Sequence, residues 1–430
     1  MPNPSQNSFK ERDKKVIWHP FTQHHIEPNS IAIVRGEGAY LYDEDGNKYI
    51  DAIASWWVNL HGHSNAYMAE KVYEQALKLE QVIFAGFTHE PAIRLAERLL
   101  SHLPKNFQKV FYSDNGSTAV EVGIKMALQF FHNQGHIKRR KIIALSDAYH
   151  GDTFGAMSLG APSAFNAPFQ DMLFEVEFIP NPKQAIECLN AFETKLKDSD
   201  EYAAFIFEPL IQGAGGMNMY SAETLDQLIS MAKKHGLLCI SDEIMTGFGR
   251  TGKWFAMDYL AQKPDIVCLS KGLTGGMMAM GVTVCSEILF ESFLSSDRTK
   301  TLFHSHSFTA NPLACAAANA SLDLMEKTET WTHIAAIQES HEAWKNKLND
   351  HPVIKNIRCF GTIVACEIDT PEKDGYLNPI RGKAYDHFIK KGILLRPLGN
   401  TLYILPPYCI KPSELAKIYL EMEEFASQIN

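Results

Sequence analysis

Short apolar runs alternate with amphipathic stretches through the middle of this 430-residue chain. The runs occupy residues 110–112, 142–145, 205–207, 237–240, 266–269 and 281–285. They are continuous and partly β-branched, the pattern of strands buried on both faces. Helical spacing recurs between several of them, for example over 225–235. The alternation predicts an α/β fold with a mainly parallel central sheet flanked by helices. Near the start, residues 39–43 and 48–51 flank Glu44-Asp45-Gly46-Asn47, which reads as a hairpin turn. Beyond about residue 326, two helical stretches mix with strands at 361–367, 393–396 and 401–405. That predicts a smaller α+β domain, with the N-terminal segment contributing to it. The expected division is 1–60 as an arm plus part of the small domain, 61–325 as the large domain, and 326–430 as the C-terminal small domain.

Composition narrows the class of partner. The hydrophobic and charged fractions, 45% and 21%, are ordinary for a soluble globular protein. A net charge of −9 without a basic stripe argues against a nucleic-acid surface. No apolar run approaches the roughly 18 residues of a membrane span, and residues 1–15 lack the apolar stretch of a signal peptide. None of the eight cysteines forms a C-x-x-C pair, and several lie inside apolar runs. Buried free thiols in a reducing compartment fit better than disulfides or zinc, so a cytoplasmic location is expected.

Three features carry candidate chemistry. Lys109-Val-Phe-Tyr-Ser113 reads as a strand, and Asp114-Asn-Gly-Ser117 as a tight turn. Val120, Ile124, Ala127, Leu128 and Phe131 then recur at helical spacing, with Thr118 and Glu121 matching a capping box. A helix start of this kind offers free N–H groups and a favourable dipole to a phosphate. A plain strand–helix turn is the alternative. The pattern is neither G-x-G-x-x-G nor a Walker sequence, so no dinucleotide or nucleoside triphosphate is indicated. Next, Asp242 and Glu243 follow one apolar run and Lys271 follows the next. Ligands bind at such strand ends in parallel sheets, although a structural ion pair is also open. Glycine-rich segments after both, Gly247-Phe-Gly-Arg-Thr-Gly252 and Gly272-Leu-Thr-Gly-Gly276, let backbone approach a bound group closely. Pyridoxal phosphate unites the three, because it needs a lysine, a carboxylate at its ring nitrogen and a phosphate cradle. The histidine pairs His24-His25, His61/His63 and His304/His306 lack a third ligand at zinc-like spacing, and no metal is expected.

From Ser241-Asp-Glu-Ile-Met-Thr-Gly-Phe-Gly-Arg-Thr-Gly252 through Pro264-Asp-Ile-Val-Cys-Leu-Ser-Lys-Gly-Leu-Thr-Gly-Gly276, the chain resembles the class III (ω-amino) aminotransferases of PLP fold type I. The resemblance runs from Trp18 to about Pro407. Five segments narrow it to the branch of biotin synthesis: Trp18-His-Pro-Phe-Thr-Gln23, Ser55-Trp-Trp57, Ala148-Tyr-His-Gly-Asp-Thr-Phe-Gly155, Glu208-Pro-Leu-Ile-Gln-Gly-Ala-Gly-Gly-Met217 and Thr309-Ala-Asn-Pro-Leu-Ala-Cys-Ala316. Ala214 stands where ornithine and GABA relatives usually carry a second glutamate, which favours that branch. The resemblance implies amino transfer from S-adenosylmethionine to 8-amino-7-oxononanoate. Lysine or another ω-amine as donor is the alternative.

The roles are likewise implied by the resemblance. Lys271 would be the covalent cofactor anchor and proton-transfer base, and Asp242 the partner of the pyridine nitrogen. Gly116 and Ser117 would hold the phosphate, joined by His306 and Ser307 of a second subunit, so a homodimer is expected. Tyr149 would lie over the cofactor ring and touch substrate. Trp56 and Trp57 would wall the substrate site, Ser305 would offer a backbone contact, and Arg396 would bind the carboxylate of the oxo acid. Phe21 stands where members of the branch often have tyrosine, so its ring can pack against substrate without a hydroxyl.

Overall fold

The computed structural model describes residues 8–26, 30–197, 200–348 and 351–429. The start of the expected arm, residues 1–7, lies outside the described residues. Seven strands form the central sheet: β1 (Phe107–Ser113), β2 (Lys141–Leu145), β3 (Val176–Ile179), β4 (Tyr202–Phe207), β5 (Leu238–Asp242), β6 (Ile266–Leu269) and β7 (Gly281–Ser286). Their spatial order is β1-β7-β6-β5-β4-β2-β3. Only β7 runs against its neighbours, and the other adjacent pairs are parallel. Every residue of β4, β6 and β7 is buried, which is why these strands appear in the sequence as unbroken apolar runs.

Helices cover both faces of the sheet. The helix Gly116–Asn133 buries Val120, Ile124, Ala127 and Phe131 against it. Gly123 lets the helix approach β6, since a Cβ there would sit 3.2 Å from the Cys268 sulfur. The helix Ala222–Lys234 buries Leu225, Leu228 and Ile229 on the expected face. All eight cysteines are free thiols, six of them buried.

The C-terminal part carries an antiparallel sheet of Ile354–Phe360, Ile363–Ile368 and Thr401–Ile404, with the helices Thr328–Lys347, Ile380–Lys390 and Pro412–Ser427. A second sheet joins the two ends of the chain. The hairpin Tyr40–Asp43/Lys48–Asp51 receives Ile393–Leu394 as a parallel neighbour, with Leu394 opposite Asp51. The expected strand 393–396 therefore ends two residues early, with Pro397, which has no N–H to give a ladder, close ahead. This pairing brings the segment after Asp51 and the segment after Leu394 to one place. No helix of the described residues is long and apolar enough to cross a membrane.

Candidate active site

Adjacent parallel strands deliver the two principal groups. Asp242 is the last residue of β5 and lies opposite Cys268 of β6, three residues before Lys271. Both side chains therefore emerge at the same edge of the sheet. Burial lowers the pKa of the Lys271 amine from its ordinary value of 10.5, against the attraction of Asp242 and Glu208. The amine lies 4.6 Å from the centre of the Trp57 ring. Lys271 itself has a φ of +47°, an uncommon conformation for a side chain with a Cβ.

Asp242 is buried and doubly held. His150 Nδ1 donates to its Oδ2 at 2.7 Å, and the Ile244 N–H donates to its Oδ1 at 3.1 Å. The neighbouring carboxylate has a different task. Glu243 accepts from the Ala256 and Met257 N–H groups at 3.0 and 2.7 Å and from the Thr246 hydroxyl, so it anchors the loop beyond β5. The sequence offered two acids at this strand end, and the fold turns one of them toward the lysine.

At the end of β1 the chain enters the helix Gly116–Asn133. The cap differs from expectation: Asn115, not Thr118, is the N-cap, and Thr118 is the residue that reciprocates. Asn115 Oδ1 accepts the Thr118 N–H at 3.0 Å, while the Thr118 hydroxyl accepts the Asn115 N–H at 3.2 Å. Glu121 is drawn elsewhere, accepting from the Thr153 hydroxyl and from the Gly155 and Ala156 N–H groups at 2.6, 2.8 and 3.1 Å. The N–H groups of Gly116 and Ser117 are left without an intrahelical acceptor, as at any helix start. The Ser117 hydroxyl accepts the Asp152 N–H at 3.1 Å. Gly151, at φ +135°, passes so near that a Cβ there would lie 2.0 Å from the Ser117 oxygen.

Tyr149 stands between these elements. Its N–H donates to Glu208 Oε1 at 3.1 Å, and burial and the Asp152 charge push its phenol pKa up. Glu208 is a buried carboxylate that had no role in the sequence beyond opening one of the five segments. It also accepts the Gly213 N–H at 2.8 Å, and burial raises its pKa to about 7. His150, quoted in the sequence only as part of a segment, is the residue that holds Asp242. His150 directly precedes Gly151, and Glu208 opens the segment that runs into the Gly213–Gly216 turn. Beside Tyr149 opens a cavity of about 410 Å³, lined by Tyr149, Asp152, Phe165, Ala214, Tyr376 and others.

The predicted wall residues divide. Trp57 is buried and donates from Nε1 to the Tyr403 hydroxyl at 3.0 Å. Trp56 is 37% exposed, with the Arg396 guanidinium 5.2 Å from its ring centre. Phe21 packs edge-on to Trp56 at 5.4 Å and to Phe165 at 5.9 Å, and Arg396 donates to the Phe21 carbonyl at 3.2 Å. Ser305, His306 and Ser307 do not join this group within the chain. Ser305 and Ser307 are exposed, the Ser305 hydroxyl pairs with Thr309 at 3.1 Å, and the Ser307 carbonyl accepts from Gln81. His306 has a buried Nε2 with no partner among the described residues. Two of the histidine pairs have other duties: His24 Nε2 accepts the His19 N–H, His61 meets Ser321, and His63 meets Asp51.

A buried amine of lowered pKa, a fixed carboxylate on the adjoining strand and a helix start narrowed by Gly151 fit a pyridine aldehyde phosphate. Comparison with known proteins agrees. The chain belongs to the class III aminotransferases, whose family model, described as aminotransferase class-III, matches residues 21–425. It is a pyridoxal-phosphate-dependent transaminase of fold type I. Among its relatives is the adenosylmethionine-8-amino-7-oxononanoate aminotransferase of Synechococcus elongatus, 47% identical over 96% of this chain and 99% of the relative. The crystal structure of the enzyme of that name from Methanocaldococcus jannaschii matches with a TM-score of 0.93 at 35% identity, covering 98% of this chain and 99% of the other. An omega transaminase from Pseudomonas jessenii in complex with PMP matches with a TM-score of 0.93 at 26% identity, covering 98% and 99%.

Proposed function

We propose that the chain moves the amino group of S-adenosylmethionine to 8-amino-7-oxononanoate, giving 7,8-diaminononanoate for biotin synthesis. The observation that carries this reading is the near-full-length likeness to relatives bearing that enzyme's name, 47% and 37% identical in Synechococcus elongatus and Helicobacter pylori. The site's chemistry supports it. Ala214 leaves the cavity beside Tyr149 open where a glutamate would fill it. The cluster of Phe21, Trp56 and Arg396 offers an apolar wall that ends in a guanidinium. That suits an apolar chain ending in a carboxylate, the group arginine binds best. Aromatic faces also accept a cationic sulfonium.

Pyridoxal phosphate, when bound, supplies the electron sink that stabilises the substrate carbanion. The chain's residues do the rest. Lys271 would anchor the cofactor, and its Nζ would take the substrate proton and return it; burial favours the neutral amine that both tasks need. Asp242, oriented by His150, would hold the ring nitrogen in its protonated form. Gly116 and Ser117 would bind the phosphate at the helix start. Tyr149 would cover the ring and Trp57 would shield the amine from water. A homodimer is part of the proposal, with His306 and Ser307 reaching the phosphate in the partner's site and Ser305 offering a backbone contact to substrate. The eight free thiols support a reducing, cytoplasmic setting.

Mixing the cofactor-loaded protein with S-adenosylmethionine alone is the test. The visible absorbance of lysine-linked cofactor is expected to disappear, and to return when 8-amino-7-oxononanoate is added. Absorbance that ignores S-adenosylmethionine but responds to lysine would transfer the donor role to lysine.

A further inference from the structure

Four consecutive residues with side chains adopt left-handed backbone, the last of them Trp57, whose ring lies beside the Lys271 amine. The φ angles are 48° at Ala54, 49° at Ser55, 80° at Trp56 and 75° at Trp57. A Cβ disfavours this region at each position, so such a run persists only where its surroundings over-determine it. Two buried charged side chains provide that constraint, one on each side of the turn.

On one side is Asp51, the fully buried last residue of its strand. Its Oδ1 accepts the Ile53 and Ser55 N–H groups at 3.3 and 3.0 Å. Its Oδ2 accepts the Ser55 hydroxyl at 2.8 Å and His63 Nε2 at 2.9 Å. Asn59 fixes which His63 nitrogen carries the proton. The Asn59 Oδ1 accepts the Gly62 N–H at 2.8 Å, so its NH2 is the group facing His63 Nδ1 at 3.1 Å. Nδ1 therefore accepts and Nε2 donates to Asp51. The carboxylate thus takes four donors on two oxygens. On the other side, buried Arg250 donates to the carbonyls of Pro406 at 2.6 Å, Asn59 at 3.1 Å and Trp57 at 3.4 Å.

The turn aims two successive indoles at different targets. Trp57 lies under the Lys271 amine and against Tyr403, while Trp56 stands outward between Phe21 and Arg396. We propose that Asp51 is a positioning residue for acceptor recognition, its carboxylate holding the left-handed turn that presents Trp56 beside Arg396. Asp51 is sealed from the site and acts only through the backbone it holds. The proposal rests on the reading of Trp56 as a substrate wall.

Asp51→Asn keeps the shape and replaces one acceptor oxygen by a donor. The KM for 8-amino-7-oxononanoate is expected to rise about tenfold, while kcat, the KM for S-adenosylmethionine and the visible absorbance change less than about threefold, because Trp57 stays anchored by Tyr403 and Arg250. Adding Ala54→Gly should recover most of that KM, because glycine adopts a φ near 48° without the Cβ penalty. A purely electrostatic role for Asp51 would not respond to that glycine. If Asp51→Asn does not yield soluble protein, Ser55→Ala removes one of the four bonds and should raise the same KM about threefold. An unchanged acceptor KM in the variant measured, equal rises for both substrates, or no recovery with glycine would overturn the proposal. Trp56→Ala separates the two levels. An unchanged acceptor KM there sinks the wall reading itself, whereas a raised KM beside a normal Asp51→Asn enzyme sinks only the role of Asp51.

Discussion

The proposed floor and the proposed substrate wall of this site are built in opposite ways. The floor, comprising Lys271, Asp242 and the helix start at Gly116, hangs from β5, β6 and β1, whose order and direction are set by buried apolar runs. The wall of Phe21, Trp56 and Arg396 comes from an arm, a left-handed turn and the end of a two-residue strand. The floor is held by a sheet ladder that many residues share. The wall depends on a few side chains far apart in sequence, Asp51 and Arg250 among them. Chemistry common to a family belongs on the shared scaffold, while substrate choice can change on the wall without disturbing it.

Four measurements press on that division, the largest effect first. Lys271→Ala should abolish the absorbance of lysine-linked cofactor and cut transamination by roughly 10,000-fold or more, as the proposed role of Lys271 as anchor and proton carrier requires. Substantial turnover by the purified variant would remove the floor from the mechanism. Gly151→Ala should strain the chain by about 1–3 kcal/mol and weaken cofactor binding, since its methyl group collides with Ser117 at a φ of +135°. Cofactor titration followed by absorbance reads this, and wild-type affinity would mean that the Ser117 corner is not a cradle.

Arg396→Ala touches only the wall. It should lower kcat/KM in the oxo-acid half-reaction by roughly tenfold to a hundredfold, the equivalent of about 1.5–3 kcal/mol for a hydrogen bond to a charged group. The donor half-reaction should change far less, and equal losses in both halves would erase the distinction between floor and wall. The smallest effect concerns Glu208, which links Tyr149 to the Gly213 turn. Its carboxyl ionises near 4.5 when free and near 7 when buried in the fold. Between these values the folded state keeps a proton that the unfolded state has lost, so stability falls as pH rises from about 4.5 to about 7. Denaturant unfolding of wild type and Glu208→Gln across that range should therefore give a difference that shifts toward the variant with rising pH. A pH-independent difference would show that Glu208 is not protonated in the fold.

Much of the floor is legible in the order of residues alone. Strands buried on both faces have to be apolar throughout, so 205–207, 266–269 and 281–285 stand out in the chain. A lysine and an acid just beyond two such runs are conspicuous for the same reason. The local cap is not legible in this way, because Asn115 and Thr118 compete with Thr118 and Glu121 for one pattern, and Glu121 is claimed by Thr153 and Gly155, more than thirty residues away. Of Asp242 and Glu243, spacing alone does not tell which faces the lysine.

The amino-acid order by itself determined the alternating elements, the strand ends that carry Lys271 and Asp242, and the likeness to class III aminotransferases, because burial periodicity and short motifs are properties of neighbouring residues. Only the folded chain decided that His150 holds Asp242 from 92 positions away, that Trp57 meets Tyr403 across 346, and that Ala54–Trp57 turns left-handed without a glycine. Those outcomes depend on buried partners contributed by distant segments, and local propensity opposes the last of them.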